Sequence, residues 1–383
     1  MLLKGNISLS KKIGIIGAGP AGLSVASLLP RDYDVWIFEE HKDVGLPNHC
    51  TGIVSLNTAR FYEKIAGNKI ISNKYLGVHI YADNKYLNIT SPRPMVFRVN
   101  RPLLEKKLYD NVLAKGFNVV LNSSVKKIRK NGNNVVTVLD QAEYVFDKIV
   151  VAEGSKRRIA HSLGCRKTDY IYGIQYLVRA KGIDASSFYV LFTKFIPEFF
   201  LWLVPMDNDI ALLGYGYKYR PFSLDLLKNI VWRKMKIAIG ECIDSFGGPI
   251  PIGNPCKPTH FNGKIYLIGD ALPFTKPFSG GGLYGIYYLA PYLVESITSE
   301  EHGIYEKIVH DKKRSLQIPY LIRNISLKLG GQYTAVKYLI ALAKAGLKID
   351  LENYDMHERI FFKSIPIMIG APWLLISSIS NDK

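Results

Sequence analysis

Two stretches of this chain hold residue types whose spacing can do chemistry. The first is Lys12-Ile13-Gly14-Ile15-Ile16-Gly17-Ala18-Gly19-Pro20-Ala21-Gly22, an apolar strand that turns through three glycines into a helix expected over Pro20 to Leu29. Gly17, Gly19 and Gly22 suit a tight turn, a close backbone approach to a pyrophosphate, and close packing of helix on strand. The helix N-terminus, with Pro20 and Ala21, then faces the phosphates. A second strand, Val35 to Phe38, ends at Glu39 and Glu40, where a carboxylate can accept hydrogen bonds from adenosine ribose hydroxyls. The other stretch runs from Ile268 to Tyr284. There the strand Lys264 to Ile268 stops at Gly269-Asp270, an Asp placed to take the hydroxyls of a ribityl chain, which NAD lacks. Gly280-Gly281-Gly282 then opens a helix at Leu283 whose free N–H groups can stabilise negative charge on a reduced isoalloxazine. The pair predicts bound FAD.

Two further groups are candidates for the reaction itself. Phe200-Leu201-Trp202-Leu203-Val204-Pro205, eight residues, then Gly214-Tyr215-Gly216 reads as a β-hairpin. It is expected to line a substrate channel with Trp202 and its same-face neighbour Phe200, with Tyr215 on the facing strand, and with glycines where something large lies against backbone. Cys50 sits in Gly45-Leu46-Pro47-Asn48-His49-Cys50-Thr51-Gly52. Its thiol can donate or relay a proton at neutral pH, or it can serve as a small buried hydrophobe that shapes the loop. His49 is the competing acid.

These residues resemble the p-hydroxybenzoate hydroxylase-like FAD superfamily and, within it, the archaeal geranylgeranyl reductases. The superfamily resemblance covers residues 11 to about 300 and includes Val99-Asn100-Arg101 before a helix Pro102 to Lys115, with Arg101 near the FAD phosphates. It also includes a strand Val119 to Val125 passing the adenine, and Ala152-Glu153-Gly154 where the family has Ala-Asp-Gly. Glu153 and Arg157 depart from that pattern and speak against a monooxygenase. The hairpin is similar to the reductases' Tyr-x-Trp-x-Phe-Pro-x8-Gly-x-Gly signature, with Phe200 for Tyr and Val204 for Phe, and the Cys50 loop is similar to their cysteine loop.

The resemblance implies an α/β fold: a Rossmann-like FAD-binding domain of glutathione-reductase/p-hydroxybenzoate hydroxylase type, an antiparallel-sheet (α+β) substrate domain and a helical C-terminal region. The expected bounds are 1–75, 95–165 and 255–300 for FAD, 76–94 and 166–254 for the prenyl-chain domain, and 301–383 for the helices. The implied activity is saturation of C=C bonds in geranylgeranyl chains of archaeal membrane lipid precursors, by hydride from reduced flavin and a proton from a nearby acid. The alternatives are an isoprenoid-quinone side-chain reductase, a flavin monooxygenase, and a non-catalytic FAD-bearing adaptor. The partners implied are a prenyl lipid and an external donor, NAD(P)H or a ferredoxin.

Composition agrees. The 383 residues are 48% hydrophobic and 12% aromatic, ample for a large core. Fifty basic against 32 acidic residues give +18, which suits an anionic membrane surface or, equally, a thermophile-like solvated surface. The basic residues are scattered without a nucleic-acid motif, so no nucleic-acid partner is expected. Four cysteines without metal-ligand spacing imply no metal site, and Cys242 and Cys256 are the pair available for a disulfide in a thermophile. Met1 to Ser10 lacks a signal-peptide core, so a cytoplasmic protein is expected, peripheral on the inner face of the membrane. Leu224 to Gly240 reads as a helix, and Gly247 to Pro251 as the return to the FAD domain. Helical patterning follows at Ala335 to Leu347. Ile365 to Ile379 is apolar but too short and Pro-broken to span a bilayer. It reads either as an interfacial or tunnel-closing segment or as a buried cap.

Overall fold

The computed structural model describes residues 10–139 and 142–346. The segment Ile365 to Ile379 and most of Met1 to Ser10 lie outside them. Eight α-helices occur among the described residues: α1 Pro20–Leu28, α2 Leu56–Ala66, α3 Arg101–Ala114, α4 Arg158–Ser162, α5 Leu224–Met235, α6 Leu283–Thr298, α7 His302–Lys328 and α8 Gln332–Lys344.

Near-continuous runs of Ile and Val make a strand that must be buried on both faces, and the first sheet obeys this. Its order is Thr259–His260, Ile265–Leu267, Lys148–Val151, Lys12–Ile16, Asp34–Phe38, Asn118–Val120, all parallel except the first pair. Ile13, Ile15, Val35, Ile37, Val150 and Leu267 are fully buried. Helix α1 packs against α3 and α6 on one face. On the other lies the three-stranded sheet Lys127–Asn131, Asn134–Val138, Glu143–Phe146, whose Phe146 ring fills the space above Gly14.

A second, seven-stranded sheet runs Ala238–Ile252, Asp169–Lys181, Ile210–Tyr217, Leu201–Pro205, Ser187–Phe192, Gly77–Ala82, Lys85–Thr90. It is antiparallel except where Ser187–Phe192 meets Gly77–Ala82. Two hydrogen-bond donors tie it to the rest: the buried Tyr75 Oη to the Pro205 carbonyl at 2.6 Å and the half-buried Asn73 Nδ2 to the Met206 carbonyl at 2.8 Å.

Several local expectations are corrected. Helix α5 ends at Met235, with Lys236 left-handed at φ 60°, and the β-branched Ile237 and Ile239 lead into the strand Ala238–Ile252. Gly247 to Pro251 belongs to that strand, because its backbone pairs with Tyr170 to Ile174. The strand expected over Val119 to Val125 stops at Val120. The disulfide joins Cys165 to Cys256, with Cα atoms 5.5 Å apart, while Cys242 is exposed and free. Cys242 points off the outer edge strand, whereas Cys256 follows it into the core beside α4.

The Cys165–Cys256 bond closes a loop with a sequence separation of 91 residues. Cys165→Ser should lose roughly 2–4 kcal/mol of stability, measured by denaturant unfolding with flavin saturating, and reductant should lower the wild type to the same level. Equal midpoints for oxidised wild type and variant would remove the bond from the stability of the fold.

Candidate functional site

One cavity of about 740 Å³ runs between the two large sheets. At one end it is built from backbone. Gly17 takes φ 103° and its N–H donates to the Phe38 carbonyl at 2.8 Å, while a Cβ there would sit 2.4 Å from the Ala152 carbonyl oxygen. Nothing lies within 4 Å of the position a Gly19 Cβ would take, so the chain is bare where α1 begins. No side chain caps α1 at Gly19 or α6 at Gly282, and both N-termini open on the same cavity. Two uncapped helix starts supply unsatisfied N–H groups and positive partial charge to an anionic ligand.

Side chains complete this end. Glu39 Oε2 accepts from the Ala18 N–H at 2.7 Å and Oε1 from the His41 N–H at 2.9 Å, which fixes the glycine turn against the strand end. Glu40 pairs with Lys156 at 2.6 Å. Arg101, at the start of α3, holds Glu105 at 2.5 Å and lies within electrostatic reach of Asp270 and Cys50. Val125, Gly154, Gly269, Asp270, Gly280, Gly281 and Leu283 all line the cavity, as do Pro20 and Ala21. Gly22 does not line it; a Cβ there would sit 2.0 Å from the Gly17 carbonyl oxygen, so a bare Cα lets α1 follow the turn this closely. Glu153 accepts from the Ile159 and Ala160 N–H groups at 2.9 and 2.7 Å, so its carboxylate caps α4. Arg157 is buried and donates to the Ala271 and Arg166 carbonyls, behind Asp270.

Burial pushes the Asp270 carboxyl up to about 6, against a smaller downward pull from Arg101 and Arg157. Hydroxyl donors on a ribityl chain would favour its anion, so they fit the group that this carboxyl lacks.

The other end is apolar. Val78 and Ile80, Phe188, Val190 and Phe192, and Phe200, Trp202 and Val204 all face it at the two-residue spacing of a sheet face, and Ala335, Val336 and Leu339 of α8 close it. Cross-strand register explains the Trp202 position. Gln175 pairs with Gly214, Gly214 with Trp202, Trp202 with Val190, and Val190 with Ile80, a row across five strands. A Cβ on Gly214 would lie 2.4 Å from Trp202 Cε2, so the indole lies over bare backbone and donates its N–H to Gln175 Oε1 at 3.2 Å. The same oxygen accepts from Thr51 Oγ1 at 2.6 Å. An indole nitrogen only donates, which fixes the amide oxygen toward it.

Gln175 thus connects Trp202 to the loop carrying Cys50. His49 makes a parallel link, Nδ1 to the Gly247 carbonyl at 2.6 Å, and is exposed. The Cys50 sulfur accepts from the Gly52 N–H at 3.4 Å, and both residues line the cavity.

The hairpin glycines make room for protein, not for a ligand: Trp202 covers Gly214, and the Phe199 ring would meet a Gly216 Cβ at 2.4 Å. Tyr215 is corrected outright. It pairs with Leu201, one residue out of phase with Trp202, and is fully buried on the opposite sheet face, where its hydroxyl accepts from the Phe222 N–H at 2.5 Å. Pro205 likewise shows its carbonyl to Tyr75 and does not line the cavity. Gln175, Thr51 and the α8 residues were not anticipated. A lone Gln in the apolar run Ile171 to Val178 was a usable signal for the first of them, since alternation turns it to a buried face.

The profile of the pyridine nucleotide-disulphide oxidoreductase family matches residues 11–187. An uncharacterised protein of Methanocaldococcus jannaschii is 28% identical over 359 residues, 88% of this chain and 89% of that one. A digeranylgeranylglycerophospholipid reductase of Methanococcoides burtonii is 24% identical over 70% of each chain. Among solved structures, a geranylgeranyl bacteriochlorophyll reductase-like protein from Thermoplasma acidophilum superposes with a TM-score of 0.76 at 16% identity, covering 96% of this chain and all of that one. The flavin-dependent halogenase CmlS superposes at 0.63 with 18% identity, over 91% of this chain and 68% of that one. Fold, nucleotide cradle and relatives define an FAD-dependent oxidoreductase. Within that class the relatives it is similar to include digeranylgeranylglycerophospholipid reductases, 23–24% identical over 70–82% of this chain.

Two outcomes follow from this geometry. A carboxyl raised to about 6 is protonated below that value, so FAD binding that needs the anion must expel a proton there. Fluorescence titration should show FAD affinity level above about pH 6 and falling by up to about tenfold per pH unit below it. Flavin-free protein should show the reverse trend in stability, losing it as pH rises from the usual Asp range through about 6, and Asp270→Asn should flatten both profiles. A pH-independent affinity in the wild type would contradict this role for Asp270. Separately, Gly214→Leu should retain FAD but expel the indole, seen as a red-shifted Trp emission that is absent when Trp202 is also changed to Phe.

Proposed function

We propose that this protein saturates C=C bonds of geranylgeranyl chains in membrane lipid precursors. The observation that carries the reading is the continuity of one cavity: a polar cradle for FAD and an apolar groove lined by the sheet face from Val78 to Val204 share walls at Cys50, Gln175 and Gly280. Reduced flavin supplies hydride at N5. Every other requirement falls on the chain. An isolated trisubstituted alkene offers no carbonyl to polarise, so the site must hold it at the right distance and keep water out. Aliphatic and aromatic walls do both, and the faces of Trp202 and Phe200, 5.6 Å apart, suit cationic character developing at carbon as a proton arrives.

The thiol of Cys50 is the group proposed to deliver that proton, with Thr51 and Gln175 holding its loop against the sheet. His49, tied by Nδ1 to Gly247 at the exposed rim, keeps the loop in place. The names of the relatives support a phospholipid-linked substrate. An external reductant, NAD(P)H or a ferredoxin, is proposed to reload the flavin, and the protein is proposed to work at a cytoplasmic membrane face.

The test is anaerobic single turnover of chemically reduced enzyme with digeranylgeranylglycerophospholipid. Flavin should reoxidise and the lipid should gain two hydrogens per turnover by mass spectrometry. Cys50→Ala should keep the flavin spectrum and slow reoxidation by roughly 10²-fold or more. Oxidation that requires dioxygen and adds oxygen to the lipid would replace this reading with a monooxygenase.

A further inference from the structure

The C-terminal half of α7 carries a feature that the cavity does not use. Leu321, Ile325 and Leu329 are 59%, 48% and 58% exposed. Their i, i+4, i+8 spacing puts them on one helix face. Phe195, 53% exposed, stands on a neighbouring loop. That loop is locked to the helices, because the Glu198 carbonyl accepts from Arg323 Nη2 at 3.3 Å and from Gln332 Nε2 at 3.0 Å. Charge on this part of the chain is one-sided: residues 312 to 346 contain seven Lys or Arg and no Asp or Glu. Arg314, Lys328 and Lys344 among them are exposed. Helix α8, which follows directly, gives Ala335, Val336 and Leu339 to the apolar groove.

We infer that the α7–α8 corner and Phe195 form the face by which the protein sits on an anionic lipid bilayer, beside the α8 wall of its groove. This rests on the prenyl-lipid reading and adds an orientation to it. Exposed apolar side chains ringed by cations insert at the acyl boundary while the long basic side chains reach the headgroups. A second copy of the chain is a poor occupant, since it would set the exposed Arg314, Lys328 and Lys344 against themselves, with Glu198 and Asp169 the acids nearest Arg323. Among the described residues no helix is long and apolar enough to cross a membrane. A chain drawn from the bilayer at this corner has only α8 to pass before it meets the groove.

The experiment is co-sedimentation of flavin-loaded protein with phosphatidylcholine vesicles and with mixed phosphatidylcholine–phosphatidylglycerol vesicles. Wild type should bind the mixed vesicles and lose them at high salt. Leu321→Ser/Ile325→Ser/Leu329→Ser should bind at least about tenfold more weakly, and each of Arg314→Gln, Lys328→Gln and Lys344→Gln about fivefold more weakly. Flavin content and reduction of detergent-dispersed prenyl lipid should match wild type in all of them. Equal vesicle binding by wild type and the triple Ser variant overturns the face, as does no binding by wild type, or a dimer in sedimentation velocity that the Ser substitutions dissolve. Loss of turnover in detergent by the wild type itself would instead overturn the prenyl-reductase reading while leaving the vesicle result to stand on its own.

Discussion

The hydrogen bond from the Trp202 indole to the buried Gln175 amide ties the two halves of the cavity together. It exists because Gly214 stands between them in the cross-strand row, so that no side chain lifts the indole off the sheet. Since Gln175 Oε1 also holds Thr51, the position of the Cys50 loop and the tilt of the aromatic wall depend on one acceptor. Breaking one partner leaves a buried polar atom unsatisfied, which costs about 1–3 kcal/mol. The rigidity of the site therefore comes from a small polar network set in an apolar wall, with bare backbone beneath it.

Electrostatics sets the other half. The starts of α1 and α6 expose positive partial charge and N–H groups to the same space, and neither Gly19 nor Gly282 supplies a side-chain cap. Arg101 and Arg157 add full positive charge around Asp270, yet burial outweighs them and holds its carboxyl high. A polyanionic cofactor with hydroxyl donors satisfies all of these groups together, which explains why polar atoms are tolerated next to a groove of Phe, Val and Trp. In the proposed reading the same arrangement separates the two chemistries in space: phosphates at the helix starts, alkene at the sheet face.

The fold that does this is shared with enzymes of other reactions, the halogenase CmlS among them at a TM-score of 0.63. What distinguishes this chain is local. Glu153 caps α4 and Arg157 fills the core behind Asp270, so the side chains that depart from the superfamily's Ala-Asp-Gly segment hold local structure. The cavity's far end, by contrast, is continuous apolar surface from the Val78 strand to α8.

The nucleotide half was legible in the sequence because each element there is local: a strand, a glycine turn and a helix start lie within eleven residues, and Asp270 sits thirteen residues before Leu283. Steric demands at Gly17 and the absence of a cap at Gly282 act within that span. The hairpin was legible for the same reason, since eight residues between Pro205 and Gly214 dictate strand pairing. Which hairpin side chains face the cavity was not fully legible, because register shifts of a single residue send Tyr215 to one face and Trp202 to the other. The cysteine pairing was beyond sequence reasoning as well: Cys256 meets Cys165 and not Cys242 because strand order, not chain distance, sets which thiols approach. Gln175 and α8 joined the site only through tertiary structure. Their partners lie more than a hundred residues away in the chain for Thr51 and on a separate layer for α8, and no local periodicity encodes a contact closed by packing.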